Sequence, residues 1–315
     1  MILVTGASGF VGSALVARLA REGHRVRACS RRDSGPLPPG VQRVRVADLG
    51  PQTDWTGPLE GVAAVVHAAA HVHVMDAAGA DALDMFRRVN VAGSLALARA
   101  AAAAGVRRFV FISSVKVHGE ATPAGRPFRE EDPPAPSDAY GISKAEAEQA
   151  LQALAAATGL ELVIIRPPLV YGPGVKANFA ALVRLVRRGW PLPLGAIDNR
   201  RSLVALDNLV DLILTCLHHP RAPGQVFLAS DGQDLSTTAL IRGLGAAIGR
   251  VPLLLPVPAV LLQVAAALVG KSAVAQRLCG NLQVDIARAR QLLGWTPPVP
   301  VQEGLRRAVQ QGADR

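Results

Sequence analysis

Apolar residues in the first half of the chain fall into short unbroken runs, separated by segments with helical spacing. Residues 1–5 form a brief apolar strand, and residues 12–22 carry apolar positions at helical intervals up to Gly23. Residues 25–29 and 41–46 read as the second and third strands, and 63–67 is a further apolar run. An alanine-rich helix over 92–104 ends at Gly105 and leads into a strand over 108–113. A helix over 144–158 is followed by a strand over 160–166. Runs that are apolar without alternation suit strands buried on both faces. Strand and helix in strict alternation imply right-handed crossovers and a parallel sheet covered on both sides. The pattern therefore predicts an α/β fold, a Rossmann-type doubly wound parallel sheet over residues 1–166.

After Arg166 the rhythm changes. Pro167, Pro168, Pro173, Pro191 and Pro193 interrupt it, and the later helices lack a strand after each one. Residues 167–315 are predicted to form mostly a smaller α/β substrate lobe. The chain is expected to return to the sheet near 202–206 and 225–229, within 202–230. The Pro- and Gly-rich pieces at 34–40 and 120–136 read as surface loops.

The first strand runs straight into Gly6-Ala7-Ser8-Gly9-Phe10-Val11-Gly12, a glycine-rich turn that opens a helix. Gly6 permits the turn, Gly9 the approach of a diphosphate, and Gly12 close packing of helix on strand. The free N–H groups and dipole of the helix start favour an anion. At the end of the second strand an acid would hold the ribose hydroxyls of NAD. Ser30 stands there instead, followed by Arg31 and Arg32. Guanidinium groups pair well with a ribose 2′-phosphate, so NADP(H) is favoured, with NAD(H) open through Asp33. Asp48, after the third strand, is placed to accept from an adenine amino group.

Composition narrows the picture. Half of the 315 residues are hydrophobic and 18% are charged, which is globular rather than disordered. The net charge of +10 is almost all arginine, since the lysines are Lys116, Lys144, Lys176 and Lys271. The arginines are scattered, without basic runs or interleaved aromatics, so anionic small molecules are favoured over nucleic acid. Cys29, Cys216 and Cys279 are far apart and odd in number, which suggests neither a disulfide framework nor a zinc site. The start of the chain enters a strand at once, and a cytoplasmic protein is expected. Residues 251–270 are very apolar, but prolines break the first half, and the clean stretch 259–270 covers only about 18 Å of the roughly 30 Å of hydrocarbon. A buried or subunit-facing helix is expected there, with membrane-surface contact open. His67, His71 and His73 have metal-like spacing but no carboxylate or cysteine beyond Asp76 to complete a site, so no metal is expected.

Tyr140-Gly141-Ile142-Ser143-Lys144 sets Tyr and Lys one helical turn apart on one face. A nearby ammonium favours phenolate, which suits Tyr140 to proton transfer near neutral pH. Ser113 and Ser114 end a strand on the expected ligand side, where a hydroxyl can hold a reacting oxygen. Together with the loop at Gly6–Gly12, with Val89-Asn90-Val91-Ala92-Gly93, with Arg166-Pro167-Pro168-Leu169-Val170-Tyr171-Gly172 and with Arg201-Ser202-Leu203-Val204, these residues resemble the extended short-chain dehydrogenase/reductase family.

The resemblance covers nearly the whole chain and is greatest for a bacterial subgroup tied to surface-polysaccharide synthesis. That subgroup includes UDP-4-keto-6-deoxy-N-acetylhexosamine 4-reductases and UDP-glucose 4-epimerase-like proteins. It implies catalytic roles for Ser114, Tyr140 and Lys144. It extends the cofactor contacts to Ser8, Phe10, Val11, Leu49, His67, Ala68, Ala69, Asn90, Lys144 and Pro167. Ser114, Lys116, Asn178 and Arg201 are assigned to a nucleotide-diphosphate sugar, and the family's habit implies a homodimer. Family dehydratases carry Asp-Glu after the active-site serine. Val115 and Lys116 stand there, which argues against dehydration. Reduction of a UDP-linked 4-ketosugar is the leading expectation and 4-epimerisation the alternative. A non-catalytic dinucleotide sensor is disfavoured, because Ser, Tyr and Lys are all kept.

Overall fold

The computed structural model describes residues 1–31, 35–46, 48–71 and 80–310. Strands β1 (Ile2–Thr5), β2 (Val26–Ser30), β3 (Gln42–Arg45), β4 (Ala64–His67), β5 (Arg108–Ile112) and β6 (Glu161–Arg166) are separated by helices, except that β3 follows β2 with no helix between them among the described residues. A short pair follows, β7 (Leu169–Tyr171) and β8 (Leu203–Ala205), and then β9 (Val226–Leu228). Seven strands form one parallel sheet in the order β3-β2-β1-β4-β5-β6-β9, with the order reversing beside β1. At such a reversal crossovers leave in opposite directions, and a crevice opens beyond the carboxyl ends of the strands.

Both faces of β1, β5 and β6 are dry, which explains their unbroken apolar runs, while the edge strand β3 is largely exposed. Val4, Val110, Ile112, Val163 and Ile165 point to one face, under helices Phe10–Arg21 and Leu206–His218. Their neighbours Leu3, Phe109, Phe111, Leu162 and Ile164 point to the other, under helices Ser94–Ala103 and Ala139–Thr158. A third cluster built on Tyr171, Phe179, Leu203, Ile241 and Leu305 fills the later part of the chain.

The two expected returns to the sheet differ. Val226–Leu228 joins it beside β6. Leu203–Ala205 instead pairs in parallel with Leu169–Tyr171 in a separate two-stranded sheet, because β9 occupies the edge of β6. The helix expected to begin at 144 begins at Ala139, where Asp138 caps it by accepting from the Gly141 N–H at 2.6 Å. The helix expected to begin at 92 is preceded by a π-helical stretch, Arg87–Gly93, which carries Asn90. Such wide turns occur often at functional sites, since the extra residue displaces a side chain from the helical face.

Candidate active site

Gly6 sits at φ +67°, and a Cβ there would lie 2.7 Å from the Ala69 amide nitrogen. The turn after β1 is thus pressed onto the segment after β4. A Cβ on Gly12 would lie 2.1 Å from the Gly6 carbonyl oxygen, so the helix starts where only glycine fits. Helix Phe10–Arg21 has Gly9 at its N-cap, no side-chain cap and no acid in its first turn, while Arg18 and Arg21 lie at its far end. Its opening N–H groups therefore keep their hydrogen-bonding capacity and their positive end of the dipole. Ser8 and Gly9 are exposed, and Phe10 and Val11 are half-buried. This end lies at the order reversal of the sheet, and it fits the diphosphate of a dinucleotide. Replacing Gly12 by Ala should displace the loop and lower dinucleotide affinity by about tenfold or more, since a helix cannot yield 1 Å or more of backbone overlap without losing contacts. A fluorescence titration of reduced cofactor measures this, and unchanged affinity would contradict the reading.

At the outer side of the crevice Ser30 is buried at the end of β2, and Arg31 reaches toward Asp48 with a 4.0 Å separation. Both charged side chains are more than half exposed, so this pair constrains them little. Arg32 and Asp33 lie outside the described residues, as do His73 and Asp76. Leu49 packs in the second core cluster, and Ala68 and Ala69 line the turn that faces Gly6.

His67 is fully buried, and both ring nitrogens are engaged, Nδ1 with the Thr5 hydroxyl at 2.6 Å and Nε2 with the Ser94 hydroxyl at 2.8 Å. Burial, reinforced by Lys144, holds its pKa down at about 3, so the ring stays neutral and acts as a strut between β1, β4 and the helix above. His71 uses its backbone to bind Asn90, and no group of metal-ligating side chains exists among the described residues. Asn90 is buried, and its amide also donates to the Ser143 hydroxyl at 3.0 Å, which in turn donates to the Tyr140 carbonyl. The side chain of Asn90 is committed to holding the helix start that carries Tyr140.

Ser114 follows β5 and is half-buried, its Oγ accepting from the Lys116 amide at 3.2 Å. Its neighbour Ser113 is buried, with an Oγ that finds no partner among the described residues. Of the two serines, Ser114 is the one open to the crevice. The Val115 N–H donates to the Pro167 carbonyl at 3.0 Å, tying the ends of β5 and β6 together.

Tyr140, in the first turn of its helix, meets Phe86 edge to face at 6.0 Å. One turn later Lys144 is 1% exposed, its Nζ donating to the Ile112 carbonyl at 2.7 Å and lying 4.1 Å above the Phe111 ring. Burial pulls its pKa down to about 7, against the upward pull of Glu148. The Tyr140 phenol is pushed up by burial and by Asp138. The sequence pattern anticipates a phenol eased toward ionisation by a nearby ammonium. In the structure the ammonium donates to the Ile112 carbonyl, while desolvation and Asp138 hold the phenol protonated. At neutral pH Tyr140 is therefore a protonated donor.

Below these residues lies an ion pair that the motifs do not reveal. Arg166 and Glu148 are nearly fully buried and paired at 2.5 Å, and Arg166 also contacts His118 Nε2 at 2.8 Å and the Glu130 carbonyl at 3.2 Å. Glu148 lies one turn beyond Lys144, a helical spacing that could have flagged it.

Lys116 pairs with Glu120 at 2.8 Å and with Asp138, which also caps the Tyr140 helix. Arg201, in the later part of the chain, feels the Glu120 carboxylate and donates to the Gly280 carbonyl at 3.2 Å. These charges link the substrate candidates Lys116 and Arg201 to the helix start. Asn178 is exposed in the first turn of helix Ala177–Arg188, after Ala177 at φ +54°. A non-glycine residue held there costs on the order of 1–3 kcal/mol, and such strain clusters at ligand sites.

The sequence profile of the NAD dependent epimerase/dehydratase family matches residues 2–229. A UDP-glucose 4-epimerase of Vibrio cholerae is 49% identical over 315 residues, covering 98% of this chain and 94% of that protein. A ceramide reductase of Caulobacter vibrioides is 32% identical, covering 97% of this chain and 89% of its own. Among solved structures, MoeE5 in complex with UDP-glucose and NAD aligns with a TM-score of 0.77 and 27% identity, over 99% of this chain and 98% of that one.

Proposed function

Because the chain belongs to the NAD dependent epimerase/dehydratase family, we propose that it carries out hydride chemistry at C4 of a UDP-linked hexose. The observation that carries this reading is Tyr140 and Lys144 on one helix face at the ligand crevice, with Ser114 open at the end of the adjacent strand. A nicotinamide dinucleotide, when bound, supplies or takes up the hydride. Ser114 holds the C4 oxygen by a hydrogen bond. Tyr140 gives that oxygen a proton as hydride arrives, or removes it as hydride leaves. Lys144 sets the charge beside the phenol and holds the nicotinamide ribose. Arg201 takes the diphosphate and Asn178 the nucleotide. A homodimer through helices Ser94–Ala103 and Ala139–Thr158 belongs to the same reading, and sedimentation velocity measures it.

Net reduction of a 4-ketosugar is favoured by the adenosine end of the crevice. Ser30 replaces the acid that would select NAD, and the exposed Arg31 beside it suits a 2′-phosphate. Replacing Arg31 by Ala should weaken NADPH binding by about tenfold, since a charge-assisted contact contributes about 1.5–3 kcal/mol, and leave NADH nearly unchanged. Isothermal titration with both cofactors checks this, and tighter native binding of NADH would overturn the NADP(H) preference.

Net epimerisation is the second reading, favoured by the 49% identical relative named UDP-glucose 4-epimerase. There Tyr140 would remove and return the same proton while the sugar presents opposite faces. A panel of UDP-glucose, UDP-galactose and UDP- and dTDP-linked 4-ketosugars with NADPH and NADH separates the two. Stoichiometric loss of reduced-cofactor absorbance marks the reductase. Interconversion of UDP-glucose and UDP-galactose without net cofactor use marks the epimerase.

A further inference from the structure

Twelve large hydrophobic side chains are strongly exposed among the described residues, and nine of them lie between 251 and 274, with Trp190 a tenth. Their clustering has a simple backbone cause. Residues 191–195 pair with 253–255, through Leu192 N–H to the Leu253 carbonyl at 2.9 Å and Leu255 N–H to the Leu192 carbonyl at 2.8 Å. This extended segment alternates, so Leu254 turns inward while Val251 and Leu253 face out at 94% and 55% exposure. Helix Ala259–Leu268 follows and has no buried residue. Ala259 and Leu262 touch the third core cluster, whereas Leu261 and Leu268 are 59% and 83% exposed. A monomer rarely leaves so much contiguous apolar surface open without an occupant.

The segments that build this surface carry charge of one sign. No Asp or Glu occurs from residue 162 to 197, or from 235 to 284. The exposed cations Arg188, Arg250, Lys271 and Arg277 lie in those segments. The Arg188 guanidinium stacks 5.4 Å from the Trp190 ring, a pairing suited to the boundary between water and an apolar phase. Helix Ala259–Leu268 is about 15 Å long against roughly 30 Å of hydrocarbon. No helix among the described residues is long and apolar enough to cross a membrane. Apolar side chains that cannot span, on segments that carry exposed cations and no acid, match the interfacial mode of binding to an anionic bilayer.

We propose that residues 251–274 with Trp190 form a docking surface for an anionic lipid bilayer, on which the protein lies without spanning it. The surface leads directly to the candidate substrate site. Helix Ser272–Cys279 ends where Arg201 and Asn199 donate to the carbonyls of Leu278 and Gly280, and Arg277 repels Arg201. Docking therefore sets the substrate lobe against the bilayer. The proposal does not depend on which C4 reaction the protein performs.

Co-sedimentation of the full chain with vesicles tests it. The protein should pellet with phosphatidylcholine vesicles containing phosphatidylglycerol, remain in solution with phosphatidylcholine alone, and be released by high salt. The double variant Leu261→Glu/Leu268→Glu should bind anionic vesicles about tenfold or more weakly, because each loses apolar insertion and adds a like charge. The charge-reversed variant Lys271→Glu/Arg277→Glu should lose anionic binding in the same way, and it guards against a folding defect in the first. Far-UV circular dichroism confirms that each variant is folded. Absence of binding to anionic vesicles, equal binding to neutral ones, or full binding by both folded variants would overturn the proposal. So would a native dimer that Leu261→Glu/Leu268→Glu dissociates without any vesicle binding, since the face would then belong to a second copy.

Discussion

Tyr140→Phe should lower turnover by about 10²–10⁴-fold, the usual contribution of positioned proton transfer, while keeping fold and cofactor affinity. Only a hydroxyl is lost, and the ring that meets Phe86 edge to face remains. The pH profile should carry a limb near the Lys144 pKa of about 7. Below it the ammonium supports the charge that develops on the phenol oxygen, and above it that support is withdrawn. Glu148→Gln should move this limb to lower pH, because Glu148 is the carboxylate that holds the Lys144 pKa up. Ser114→Ala should also reduce turnover, and its effect should not add to that of Tyr140→Phe, since both act on one oxygen. Steady-state rates on the single and double variants measure this. Near-native turnover of Tyr140→Phe on the physiological sugar would remove the proposed mechanism.

Arg166→Met should destabilise the protein by about 3–5 kcal/mol, because it strands the Glu148 carboxylate in a site where that side chain is 4% exposed. The double variant Glu148→Leu/Arg166→Met should recover most of the loss, since an apolar pair of similar volume carries no desolvation cost. Urea denaturation at neutral pH gives both values, and a single-variant loss below about 1 kcal/mol would mean that water reaches the pair. The pair sits one turn below Lys144 and joins the Tyr140 helix to the end of β6. Its loss should therefore also loosen the residues proposed to meet the cofactor.

Some of this was legible from the chain alone. The unbroken runs at β1, β5 and β6 announced strands dry on both faces, because a strand with one wet face must alternate. The glycines at 6 and 12 announced a turn folded onto its own helix, and a Cβ at Gly12 would indeed overlap the Gly6 carbonyl. The four-residue spacing of Tyr140 and Lys144 placed them on one face, because helical geometry alone decides it.

Other features arise only when distant segments meet. The partners of His67, Thr5 and Ser94, lie 62 and 27 residues away, so its neutral state could not be read from its spacing to His71. The Lys144 ammonium donates to the Ile112 carbonyl, 32 residues earlier, a partner that its four-residue spacing to Tyr140 could not reveal. The pairing of Leu203–Ala205 with Leu169–Tyr171 depended on β9 taking the edge of β6. The apolar stretch 251–270 reads as a buried or subunit-facing helix with membrane-surface contact open, since hydropathy reports how willingly a segment leaves water. Only packing decides what it packs against, and here the core had room for Ala259 and Leu262 and left Leu261 and Leu268 outside.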